Sequence, residues 1–234
     1  MKNKFTFFFK TIGILAIINA LYSLRYLFLG VNGIVYLNDN DIILSFLSQQ
    51  KTDFWHQFVL SQQTLYQEAE LSVLIHIIGV SIALIIGVFQ FIPSLRIKAI
   101  FTHKFFGFVY LFSTLIGLFL GVFISFDLPM VGGKSSIIMN IIGGTLGIIF
   151  VLMATIRLWQ KKYLDHGKWM LRSYAVLLTI VTLYLLIGFF AICRLPIELG
   201  YELAHLFCLP INLIIVEIII RKKINIFIIN EQNK

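Results

Sequence analysis

Four of the chain's five histidines, His76, His103, His166 and His205, stand at or just inside the ends of long apolar runs. Imidazole combines metal ligation with a charge that changes near neutral pH. Two imidazoles from different helices can also hold a haem iron from opposite sides. His166 has the densest polar company, in the stretch Asp165-His166-Gly167-Lys168-Trp169-Met170-Leu171-Arg172-Ser173-Tyr174. The fifth histidine, His56, lies in a hydrophilic connection and reads as a solvated loop residue.

Composition dictates the elements that must position these side chains. Of 234 residues, 59% are hydrophobic and 13% charged, with a mean hydropathy of +0.92, whereas soluble domains carry about 25% charged residues. The excess lies in runs of roughly 20 residues, the length that crosses a hydrocarbon core of ~30 Å. The chain therefore reads as an all-α, polytopic membrane protein. A six-helix bundle in one transmembrane domain, 1–234, has spans at about 7–29, 71–92, 105–126, 137–158, 171–192 and 200–220. The first run is too long for a signal peptide and lacks a small-residue cleavage site, so it reads as an uncleaved helix. Residues 30–70 form the long outer connection. It has turn chemistry at Asn38-Asp39-Asn40-Asp41 and two expected amphipathic surface helices, Ile42–Leu47 and Phe54–Leu60.

The formal net charge of +8 comes from cations that flank apolar runs instead of lining a groove, which excludes nucleic acid as a partner and leaves membrane lipid. Placing the N-terminus inside puts 15 of the 19 lysines and arginines on that side, leaving Arg25, Lys51, Lys134 and Arg194 outside. By the positive-inside rule both termini are expected to be cytoplasmic, in a multi-pass protein of the cell membrane. The two cysteines, Cys193 and Cys208, fall toward the same outer side, where a single bridge is open to them. There is no GxGxxG, GxSxG, HExxH or P-loop pattern, which argues against a soluble-type enzyme.

This orientation turns histidine positions into depths. His76 lies ~8 Å below the outer surface at 1.5 Å per residue, and His205 at a similar depth. His103 and His166 stand at the inner ends of their spans, so the four sort into an outer and an inner pair. His76, Gly79, Ala83, Gly87 and Gln90 share one helix face; His103, Gly107, Tyr110, Thr114, Gly117 and Gly121 share another. Small residues beneath a histidine leave room for a flat macrocycle, the alternative being close helix packing. On the last span His205 shares a face with Cys208 and Asn212, with Pro210 placed to kink the helix. Glu217 is expected to pair with Arg221 one turn on.

From His76 to about Tyr184 the chain resembles the bacterial membrane proteins grouped as domain of unknown function 2306. The matching elements are His76-x-x-Gly79, Gly87-x-x-Gln90-Phe91, Arg96, His103-x-x-x-Gly107-x-x-Tyr110 and His166-x-x-Trp169-Met170-x-Arg172-Ser173-Tyr174. Where that family carries an arginine after a Val-Thr-Leu, this chain has Tyr184 after Val181-Thr182-Leu183. The resemblance implies a multi-span membrane protein and no activity. A looser likeness is to cytochrome b561, whose six helices carry two b haems on histidine pairs, one near each surface; it is a likeness of architecture.

The leading expectation is a haem b electron-transfer protein, a membrane oxidoreductase or electron carrier. His76 and His205 would ligate an outer haem, and His103 and His166 an inner one. Gln90 lies on the His76 face, Trp169 and Tyr174 would line the inner site, and Arg96, Lys104, Lys168 and Arg172 would meet propionates or an anionic donor. A variant keeps one haem on one pair. A quinone or small-molecule redox partner would complete such a role. The alternatives are a non-catalytic transporter or accessory membrane protein without cofactor, and a copper or zinc site on the same imidazoles. Oligomeric state is not legible in the sequence.

Overall fold

A computed structural model of the chain describes residues 2–30, 32, 53–126 and 133–222. The expected Asn38–Asp41 turn and Ile42–Leu47 helix lie outside the described residues. Among the described residues ten helices follow one another: α1 (Lys2–Ser23), α2 (Tyr26–Leu29), α3 (Asp53–Glu68), α4 (Glu70–Gln90), α5 (Pro93–Lys98), α6 (Ile100–Ser125), α7 (Gly133–Trp159), α8 (Tyr163–Leu177), α9 (Thr179–Ile192) and α10 (Ile197–Arg221). No strand occurs among the described residues. Among the described residues five segments, Lys10–Leu29, α4, α6, Lys134–Trp159 and α10, are long and apolar enough to cross a membrane, and α8 with α9, bent by 42° at their break, passes the same test when the pair is taken as one span.

Two spans differ from expectation. The third begins at Ile100, so His103 stands in the first turn of α6 instead of in a connection. The fifth begins at Tyr163, not near Leu171, and breaks at Leu178. Here the Thr179 hydroxyl donates to the Val176 carbonyl at 2.6 Å, a side-chain bond back into the preceding turn that bends helices. Asn212 of α10 bridges the bend, donating its amide to the Ala175 carbonyl at 3.0 Å and accepting from the Thr182 hydroxyl at 2.7 Å.

The connections into α8 and α10 are short because α7 and α9 close alike. Lys162 N–H donates to the Arg157 carbonyl and Lys161 N–H to that of Leu158, while Leu195 and Arg194 do the same to Phe190 and Ala191. This closure puts one residue in the left-handed region. Here these are Lys161 (φ 59°) and Arg194 (φ 58°), where glycine would be unstrained. Pro210 lies inside α10, which runs on to Arg221. Cys193 and Cys208 are both free, the first exposed and the second buried, so no bridge links them.

The helices α1, α4, α6, α7, α10 and α9 pack in that order into a closed ring, and α8 stands inside it, touching α4, α7, α9 and α10. The sequence of α8 explains its place. Gly167, Met170, Leu171 and every residue from Ser173 to Leu177 are buried, whereas Val181 is the sole buried residue of α9. The opposite extreme is the outward face of α6, where Phe101, Phe105, Phe108, Phe112, Phe119 and Phe123 are exposed at helical spacing. Such a face is stable only against lipid or another apolar surface. Helix direction gathers Arg96, Lys98, Lys104, Arg157, Lys161, Lys162, Lys168 and Arg221 at one end, the basic end, and Glu68, Glu70, Glu198 and Glu202 at the other, the acidic end.

Candidate functional site

At the basic end α8 acts as a hub, and most polar or aromatic members of its conspicuous stretch reach a different neighbour. His166 Nδ1 lies 2.9 Å from the Ala154 carbonyl of α7. The Trp169 ring packs on Phe150 of α7 with centroids 5.6 Å apart. The Ser173 hydroxyl bonds the Tyr110 hydroxyl of α6 at 2.7 Å, both groups fully buried. Tyr174 donates to the Leu84 carbonyl of α4 at 3.0 Å. Its ring crosses α4 where Gly87 has no side chain, in space that a Cβ would occupy. Arg172 grips Glu217 of α10 through two bonds, Nε to Oε1 at 2.6 Å and the terminal nitrogen to Oε2 at 3.2 Å, with its guanidinium 4.5 Å from the Trp169 ring centroid. Glu217 is thus paired across helices with Arg172 and not, as expected, along its own helix with Arg221; Arg221 acts on it only at longer range.

The inner histidines stand at the same end of the bundle. His103 lies within electrostatic reach of both Arg96 and His166. Its Nδ1 is buried and has no hydrogen-bond partner among the described residues. Gln90 donates to the His103 carbonyl at 3.4 Å, tying the end of α4 to the start of α6. Burial draws the pKa of Arg96 down from the ordinary arginine value, yet a guanidinium keeps its proton at neutral pH. Lys168 pairs with Asp165 at 2.9 Å on the exposed side of α8.

The outer histidines do not meet in the same way. His76 Nδ1 lies 2.7 Å from the Gly117 carbonyl, and its ring fills the place a side chain at Gly121 would take. It is therefore seated between α4 and α6. His205, on α10, directs Nδ1 to the Tyr201 carbonyl of its own helix at 3.0 Å and packs against the Tyr201 ring, centroids 4.3 Å apart and planes tilted by 46°. A carbonyl only accepts, so in His76, His166 and His205 the Nδ1 carries the proton and, in the neutral ring, Nε2 keeps its lone pair.

The glycine stripes do not leave a slot for a macrocycle, as the sequence reading allowed. A Cβ on Gly79 would stand 2.9 Å from Gly117 Cα and 2.9 Å from the Ser113 carbonyl oxygen, and one on Gly117 would stand 2.8 Å from Val80 N. The two stripes face each other and bring the α4 and α6 backbones into contact, as small residues do in membrane helices. Gly107 differs: a Cβ there would meet only Gln90 Oε1, at 3.5 Å. Space near a histidine thus remains at the basic end.

Sequence reading missed the Ser173, Glu217 and Asn212 partnerships. Asn212 carried a readable signal, being an amide in the middle of an apolar run; the other two depended on which helices became neighbours.

Among the described residues no group of three or more His, Cys, Asp or Glu side chains converges as a metal cluster. No curated protein and no solved structure matches the chain. One family model does, over residues 73–220, from the start of α4 almost to the end of α10, taking in the hub and both histidine pairs. The chain belongs to the family described as predicted membrane protein, DUF2306.

Proposed function

We propose that this membrane protein binds one haem b at its basic end and serves as an electron carrier, with His103 and His166 as the axial ligands. What carries the reading is His103, within electrostatic reach of His166, with a buried Nδ1 that has no hydrogen-bond partner among the described residues. A polar atom left unsatisfied in an apolar surround costs about 1–3 kcal/mol, which a carboxylate accepting from Nδ1–H would offset while Nε2 stays free to ligate. His166 holds a proton on Nδ1 against a backbone carbonyl, the outer-shell arrangement that orients a ligating imidazole and leaves Nε2 for the metal. The two ends differ in space: Gly107 has only Gln90 Oε1 near its open side on the helix that carries His103, whereas the His76 ring is packed against α6 and His205 belongs to another interface.

When bound, haem supplies one-electron chemistry at its iron. The chain's own residues do the rest. Arg96 and Lys104 bring positive charge to this end, where carboxylate groups would be drawn; Arg172 and Lys168 pair with Glu217 and Asp165. Gln90 holds the first turn of α6, and hence His103, against α4. Trp169, Tyr174 and Met170 close the apolar side of α8. By the distribution of lysine and arginine this end is cytoplasmic, as are both termini, in a protein of the cell membrane. A quinone or small soluble reductant is the partner that such a carrier requires.

The test is the absorption spectrum of the purified protein, expressed with haem precursor, together with His103→Ala and His166→Ala variants. Both variants should lose the Soret and α bands, and His76→Ala and His205→Ala should keep them. Colour that depends on His76 or His205 would refute this assignment.

A further inference from the structure

We infer that the acidic end holds a second site, a chamber between α7 and α10 that takes an organic ammonium ion. It forms because α8 stops halfway. The last turn of α8 packs Val176 against Gly147 of α7 and places Ala175 against Asn212 of α10. Beyond Leu178 the chain turns by 42° and α9 leaves the middle of the ring, keeping one buried residue. Two helical turns further along each flanking helix, about 10 Å, stand Asn140 on α7 and His205 on α10.

Both lie on the faces that α8 would have covered. On α7, Gly143 faces Leu209 of α10 and Gly144 faces Val122 of α6. At 100° per residue Asn140 falls between those two directions, close to that of Gly147. It points into the ring, and yet it is exposed. An exposed amide on a packing face marks an opening. On α10, Leu209 faces α7 and Asn212 faces α8 and α9, and His205 falls between them at the level of Asn140. Glu202, one turn nearer the acidic end, accepts from the Ser135 hydroxyl of α7 at 3.1 Å and ties the two helices across the mouth.

The groups gathered there accept hydrogen bonds: the Glu202 carboxylate, His205 Nε2 and the Asn140 carbonyl. The Tyr201 and His205 rings add the aromatic faces that attract ammonium ions. Among the described residues the charged groups nearby, Lys134, Arg194 and Glu198, are exposed at the surface. Polar side chains at membrane depth are costly and mark ligand or ion sites. The chamber shares no residue with the histidine pair at the basic end and stands or falls separately from it.

The test uses the full chain in liposomes, with Cys193→Ser and Cys208→Ala removing native thiols and Asn140→Cys adding one. Cationic trimethylammonioethyl methanethiosulfonate should modify Asn140→Cys at least tenfold faster than anionic sulfonatoethyl methanethiosulfonate, after normalisation to a free thiol. Adding Glu202→Gln should remove most of that preference, and Thr145→Cys, on the lipid face, should not react. Methylammonium, which carries three N–H donors, should raise the melting temperature of the unsubstituted protein by several degrees and leave Glu202→Gln unchanged. No reaction at Asn140→Cys, equal rates for the two reagents, or a melting temperature indifferent to methylammonium would overturn the proposal.

Discussion

Replacing Gly79 by alanine should separate α4 from α6, and the effect can be worked from the contact itself. The new methyl would stand 2.9 Å from a Cα and from a carbonyl oxygen of the facing helix, where ordinary contact starts at 3.4 Å. Both obstacles are backbone, so no rotamer relieves them and the helices must part by at least the 0.5 Å difference. Parting them stretches the 2.7 Å bond from His76 to the Gly117 carbonyl and loosens close-packed contacts along the whole crossing. Overpacking of this kind costs about 1–3 kcal/mol, and alanine's better helix propensity returns about 1 kcal/mol at most. Gly188→Ala gains the same propensity, so relative to it the full overpacking cost remains, which for a chain of this size corresponds to a melting temperature lower by about 2–12 °C, read by intrinsic fluorescence in detergent. Gly188, whose added Cβ meets nothing within 4 Å, is the internal control, and Gly188→Ala should be neutral or stabilising. A Gly79→Ala protein as stable as Gly188→Ala would refute the backbone contact between α4 and α6.

Further outcomes follow from other contacts. Glu217→Ala should lower stability by about 1 kcal/mol, the pair being partly solvated, while Arg221→Ala should leave it unchanged; the reverse order in thermal melts would restore the local pairing. Asn212→Leu removes the bridge across the bend and leaves the Ala175 carbonyl without its side-chain donor, at a cost of about 1 kcal/mol for a membrane interhelical bond; an unchanged melt would contradict the bridge. Lys161→Gly relieves a left-handed lysine and should raise stability by up to about 1 kcal/mol; a lower melting temperature would show that the lysine side chain matters more than the strain.

The helices were legible because apolar run length is a direct physical requirement of the bilayer. Their ends were less so. Lys161 and Arg194 close their turns without glycine, so the usual stop signal is missing. Leu178, where the fifth span breaks, is an ordinary apolar residue; the break owes more to Thr179 and to a partner on a helix more than 30 residues away. Depth can be counted along a helix, which puts His103 and His166 at one end of the bundle and His76 and His205 toward the other. Azimuth between helices cannot be counted, and it sends His76 toward α6 while His205 turns to Tyr201 of its own helix. The glycine stripes were visible as stripes, but a missing side chain reads the same whether backbone, ring or ligand fills its place.

A dithionite-reduced minus air-oxidised spectrum of folded protein, with haem and protein quantified together, tests the proposed haem on His103 and His166. Ligation by this pair gives a low-spin b-type α band at one haem per chain, abolished by His103→Ala or His166→Ala. A flat spectrum from folded protein, or two haems per chain, would contradict it.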